Sequence, residues 1–132
     1  MFINQTYKKE FLITEEIGRE FARVSQDNNP IHLDDDYAKN TKFKGKIAHG
    51  MLMGAYISSI LGMEFPGEGC IYLSQEISFL RPVHYGDTIT IEIKVVEMIQ
   101  EKNRLILDTN CYNQDGKQVV SGKATVMPKE DQ

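Results

Sequence analysis

The chain has 132 residues, a formal net charge of −4 and a pI near 5.4. A chain this short reads as a single domain over residues 1–132, and its acidity argues against non-specific nucleic-acid binding. Hydrophobic content of 41% and charged content of 26% fit a globular domain that buries a core without disulfides or metal staples.

The two cysteines, Cys70 and Cys111, fit no metal or redox spacing and suggest a reducing compartment, with cytoplasm expected. The N-terminal "MFINQTYKKE" lacks a basic region followed by an apolar run, so no secretory leader is expected. The most apolar stretch, "MLMGAYISSILGM" at 51–63, is too short for a membrane span of about 20 residues.

In chain order, "YKKEFLIT" reads as a short strand. "TEEIGREFARVSQ" reads as a helix capped by Thr14, with Glu15 and Glu16 favoured by the dipole and Ile17, Phe21 and Val24 on one face. Pro30 is expected to stop that helix, leaving a bent segment and an acidic turn, "DDDYAKN". Lys42, Lys44 and Lys46 then alternate in "KFKGK". An apolar helix is expected from Gly50 to Gly62, hydrophobic nearly all round and therefore covered on most sides.

From residue 69 the period becomes two. In "CIYLSQEISFL" the residues Ile71, Leu73, Ile77 and Phe79 share a face, with Gln75 as the exception. In "DTITIEIKVVEM" the inward set is Ile89, Ile91, Ile93 and Val95. "NRLILDTNCYN" and "KQVVSGKATVM" make a hairpin around Asp115-Gly116. Strands with one apolar face beside an all-round apolar helix imply an α+β domain. A curved antiparallel sheet wrapped on that helix is similar to the hot-dog fold.

Two stretches carry chemistry. In "SQDNNPIHLD", residues 25–34, Asp27 and His32 are both proton carriers, in a segment too bent to be a helix. Converging, they can hold and polarise a water for general acid–base catalysis; the plain alternative is that Asp27 caps a turn and His32 packs in a satisfied bond. In "AHGML", residues 48–52, Gly50 starts the buried helix, where a backbone N–H points outward and can stabilise an oxyanion or enolate. The alternative there is an ordinary glycine start with His49 as a cap or surface residue.

"SQDNNPIHLDDDYA", then "FKGKIAHGML" and "CIYLSQEISFLRPVHYGD", closely resemble the MaoC-like hydratases, in particular the (R)-specific enoyl-CoA hydratases. The resemblance implies reversible syn hydration of a trans-2-enoyl thioester to an (R)-3-hydroxyacyl thioester. Asp27 and His32 would activate the water, and the Gly50 N–H would hold the thioester oxygen. Ser58, which matches a family serine near the pair and reads equally well as a small core residue, joins His49 and Met51 as expected substrate contacts. No metal or other cofactor is implied.

The remaining polar residues carry less. His84 reads as a surface loop residue, Asp34, Asp35 and Asp36 as a solvated helix start, and the lysine trio as solvated or facing the phosphates of CoA. Met51, Met53 and Met63 read as core filler or acyl-pocket lining. Alternatives are an acyl-CoA thioesterase, a dehydratase acting on carrier-protein thioesters, and a non-catalytic acyl-CoA-binding module. The fold implies a homodimer.

Overall fold

The computed structural model describes residues 1–130. The element order is β1 (Thr6–Leu12), α1 (Glu15–Ser25), α2 (Pro30–Leu33), α3 (Asp35–Lys39), α4 (Gly50–Met63), β2 (Ile71–Phe79), β3 (Thr88–Ile99), β4 (Arg104–Tyr112) and β5 (Gln118–Met127). All five strands join one antiparallel sheet in the order β1-β3-β4-β5-β2, so β1 and β2 form its edges. The α+β architecture expected from the periodicity is the one observed.

Thr14 caps α1 by accepting a bond from the Ile17 N–H at 3.2 Å, and Glu15 and Glu16 occupy the first turn, as the sequence predicts. The helix ends at Ser25 because Gln26 takes a left-handed conformation, φ 64°, four residues before Pro30 could intervene. Val24, placed by periodicity on the apolar face, is 70% exposed; only Gly18 and Ala22 of α1 are fully buried. The segment expected to be too bent for helix instead makes one turn, α2, with Pro30 at its start, where a missing N–H costs nothing. The acidic turn likewise becomes α3, capped by the Asp34 side chain.

Leu52, Met53, Ile57, Ile60 and Leu61 of α4 are buried against the sheet's inner face, formed by Ile89, Ile91, Ile93, Val95, Leu105, Leu107, Val120, Ala124 and Val126. Burying each large aliphatic side chain contributes about 1.5–3 kcal/mol relative to leaving it exposed. The helix is not covered on most sides: Met51 and Met63 are exposed, as are Ala55, Ser58 and Ser59, so Met63 is not core filler.

The alternation expected in β3 is observed residue for residue. That of β2 is not, because a bulge between Tyr72 and Ser74 shifts the register. Tyr72, Gln75 and Ile77 become the more covered side, while Ile71 and Leu73 are exposed. Gln75 is therefore no exception: its amide donates to the buried Thr109 hydroxyl at 2.8 Å, and its carbonyl accepts from the Tyr72 hydroxyl. The β4–β5 turn is held by the Asn113 carboxamide, which accepts from the N–H groups of Asp115 and Lys117, with Gly116 at φ 74°.

Candidate active site

The puzzle of residues 25–34 resolves into a ladder of short polar caps. The Ser25 hydroxyl accepts from the Asp27 N–H at 3.2 Å, and Asp27 Oδ1 accepts from the Asn29 N–H at 3.2 Å. Asn29 Oδ1 then accepts from the Ile31 N–H at 3.3 Å, capping α2. Each side chain supplies an acceptor for the N–H two residues on, which holds the reversal between α1 and α2 in shape although the segment is exposed. Asn29, expected only to be extended before Pro30, also caps α2; the signal for that is an amide immediately before a proline at a helix start.

His32 is half-buried, and its Nδ1 lies 2.8 Å from the Ile47 carbonyl oxygen. A carbonyl only accepts, so Nδ1 carries the proton and neutral His32 presents a bare Nε2 lone pair. His49, 2% exposed, is fixed in the opposite sense: its Nε2–H donates to the Asp27 carbonyl at 2.9 Å, and its buried Nδ1 is without a partner among the described residues. The two imidazoles stack with centroids 3.9 Å apart, and the edge of Phe21 meets the far ring at 5.1 Å. His49 makes no side-chain cap bond to α4. It is neither a cap nor a surface residue but a support beneath the Asp27–His32 pair.

The donor atoms of Asp27, His32 and His49 lie within 4.8 Å of one another, close enough to share a small ligand. A cation there would be left with His32 Nε2, His49 Nδ1 and a carboxylate oxygen, because the other ring nitrogens are engaged with carbonyls.

Gly50 opens α4, and its N–H belongs to the first turn, where no intrahelical acceptor exists. The preceding residues are tied to the β2–β3 connection: the Ala48 N–H donates to Val83 O at 2.7 Å, and Ile47 bridges His84. His84 is not a plain surface loop residue, since it is half-buried with Nε2 3.2 Å from the Phe43 carbonyl. The need for glycine at position 50 is steric: a Cβ would sit 2.7 Å from two carbons of the Phe79 ring.

These groups face one cavity of about 710 Å³. Asp27, His32, His49 and Gly50 share its wall with Phe21, Met51, Met53, Phe79, Val83 and Val120, while Lys42 and Arg81 add the charge. An apolar chamber with a few convergent polar groups suits an acyl chain with one reactive end.

Of the residues expected to touch substrate, Met51 lines this cavity and Ser58 does not. Two turns further along α4, Ser58 is on the helix's exposed face. Lys46 also departs from expectation: its side chain is only 10% exposed, pairing with Glu15 at 3.0 Å and Asp35 at 3.4 Å. Those bonds hold the Lys46 ammonium above its ordinary pKa, the Glu15 hydrogen bond contributing most.

The family described as MaoC like domain matches residues 3–117. The chain is 46% identical over 107 residues to the (R)-specific enoyl-CoA hydratase of Rhodospirillum rubrum, covering 81% of this chain and 74% of that protein. It is 42% identical over 106 residues to the (R)-specific enoyl-CoA hydratase of Aeromonas caviae, covering 80% and 79%. Among solved structures it superposes on the R-hydratase PhaJ1 of Pseudomonas aeruginosa, unliganded, with TM-score 0.95 at 45% identity, covering 99% of this chain and 84% of that one. The hot-dog fold anticipated from the strand and helix pattern is thereby established.

Proposed function

The chain belongs to the MaoC-like domain family, and on that premise we propose that it is an enzyme that reversibly hydrates trans-2-enoyl-CoA to (R)-3-hydroxyacyl-CoA. The observation that carries the reading is the tautomer of His32: with Nδ1 committed to Ile47, the Nε2 lone pair and the Asp27 carboxylate face the cavity that Gly50 also lines.

In this reading a water donates one hydrogen to His32 Nε2 and the other to Asp27. Its oxygen attacks the β-carbon as the proton passes to Nε2, and the π electrons move onto the thioester carbonyl. The resulting enolate oxygen accepts from the Gly50 N–H at the helix start. The imidazolium then returns its proton to the α-carbon on the same face, so addition is syn. Throughout, the His32 ring stays stacked on His49, centroids 3.9 Å apart, which fixes the plane of the imidazole. The residues supply this acid–base chemistry by themselves.

The activities of these relatives support this class of substrate, and related proteins extend it to a carrier-protein handle. A tomato mitochondrial 3-hydroxyacyl-[acyl-carrier-protein] dehydratase is 38% identical over 109 residues. The same site would run the reverse reaction on either thioester. A thioesterase reading explains neither the Asp27–His32 pair nor the loop that builds it. The exposed apolar residues of β2, Ile71 and Leu73, on a strand at the sheet's edge, together with the open face of α4 carrying Ser58 and Met51, support a homodimer. No helix among the described residues is long and apolar enough to cross a membrane. The two free cysteines, Cys70 and Cys111, support a reducing compartment, with the cytoplasm as the proposed location. Incubation with crotonyl-CoA separates the readings: loss of enoyl absorbance without release of free thiol supports hydration, and loss matched by free thiol refutes it.

A further inference from the structure

We propose that Tyr85 is a positioning residue for His32, seated by Gly18 at the back of the site. The inference rests on the catalytic reading of His32 given above.

The catalytic loop has a rear face as well as a front. Behind His32 is a second cleft of about 510 Å³, lined by Glu15, Arg19, Arg23, Lys46 and Tyr85 as well as His32 itself. Across it, the Tyr85 hydroxyl donates to the main-chain carbonyl of His32 at 2.9 Å. That carbonyl ends the single turn of α2, where no following turn supplies an N–H. A one-turn helix has almost no stability of its own, so its orientation is set by what grips it from outside.

His32 is gripped twice: Ile47 O holds the ring through Nδ1, and Tyr85 holds the backbone. Lys46 closes the frame. Its Nζ lies 6.0 Å over the Tyr85 ring while bonding Glu15 of α1 and Asp35 of α3, and the next residue, Ile47, provides the carbonyl that orients the imidazole. Burial raises the Tyr85 phenol above its ordinary pKa, which keeps it a neutral donor.

Gly18 makes the arrangement possible. A Cβ there would be 2.6 Å from Tyr85 Cζ and 2.7 Å from Cε1, and closer still to the hydroxyl. Any other residue at 18 would push the phenol off the carbonyl, although Gly18 lies inside α1, where glycine is otherwise unfavourable. The helix gives up local stability at the one position where the tyrosine must pass.

The test compares Tyr85→Phe, Tyr85→Val, Gly18→Ala and Gly18→Ala/Tyr85→Val with wild type, using enoyl-CoA hydration and ¹⁵N-histidine NMR of the His32 imidazole, assigned with His32→Gln. Tyr85→Phe should lower kcat about five- to tenfold, the factor one neutral hydrogen bond is worth, with KM within twofold and melting temperature nearly unchanged. The His32 Nδ1–H resonance should exchange faster with solvent. Gly18→Ala should reproduce that loss in the wild-type background and cost almost nothing further beside Tyr85→Val, because the valine vacates the space. A Tyr85→Phe enzyme with wild-type kcat and an unaltered His32 resonance overturns the proposal, as does a change confined to KM or additivity of the Gly18 and Tyr85 substitutions. If wild type hydrates nothing, the reading of the reaction falls, and the NMR comparison still decides whether Tyr85 holds His32.

Discussion

Gly50→Ala is expected to separate activity from stability. The new Cβ would meet Phe79 Cδ1 and Cε1 at 2.7 Å and Cγ at 3.2 Å, whereas ordinary contact begins near 3.4 Å and extends to 4 Å. Either the ring or the first turn of α4 must therefore retreat by about 1 Å. Phe79 is 52% exposed and can swing outward, so the folding cost is small, about 1 kcal/mol, the low end of overpacking. The catalytic cost is larger, because Phe79 and Gly50 share the wall of the substrate cavity. A misplacement of about 1 Å at a reacting centre can cost about 10²-fold. The assay is kcat/KM for crotonyl-CoA beside thermal unfolding, with Phe79→Ala as the relieving change. The reasoning predicts a loss of about 10²-fold in Gly50→Ala, with a melting temperature within a few degrees of wild type, and partial recovery in the double variant. An alanine enzyme with full activity, or one whose loss is matched by unfolding, would refute it.

Cys111, buried in the core, has its thiol pushed up to about 12 by burial. Iodoacetamide at pH 8 should therefore modify the half-buried Cys70 first and reach Cys111 only on unfolding, which mass mapping reads directly. Because the folded state holds that proton more tightly, stability should fall as pH climbs from the thiol's ordinary value towards about 12. Lys46 acts in the same direction: its raised pKa makes its contribution complete below the ordinary lysine value and lost above it. Lys46→Met should remove up to about 1 kcal/mol at neutral pH, since its partners are largely exposed, and should flatten the alkaline decline measured by denaturant melts. Gly116→Ala places a Cβ at φ 74° and should cost about 1–2 kcal/mol, lowering the melting temperature by about 3–8 °C and leaving kcat untouched.

What the sequence made legible followed from local rules. Thr14 as a cap, the buried alternation of β3 and the glycine turn at Gly116 are decided by neighbours in the chain, and each is observed. Asp27 and His32 stood out as candidates because proton-carrying side chains in a proline-bent segment are an unusual composition for a connector; the resemblance, rather than the residues alone, implied their catalytic role, and the structure puts both on one cavity wall. Some misses were local, such as the single turn α2 started by Asn29 and Pro30, but several involve a partner far along the chain. Leu73 is left exposed by a bulge that exists only against β5. Lys46 looks like a solvated lysine until Glu15 and Asp35 are brought to it. His49 reads as an isolated helix-start histidine until the loop folds over and gives it the Asp27 carbonyl. Ser58 came from resemblance alone; in the folded chain its side of α4 faces outward, where only a second molecule could cover it.

The central claim is that one acid–base pair on one face, Asp27 with His32, serves both carbons of the enoyl thioester. Hydration of crotonyl-CoA in D₂O, with the product's relative configuration read by NMR and its C3 configuration by a chiral dehydrogenase couple, tests this directly. The account predicts the (R)-alcohol with deuterium and hydroxyl added to the same face, and rates about 10²–10⁴-fold lower in Asp27→Asn and His32→Gln. Anti addition, or either variant turning over at the wild-type rate, would contradict it.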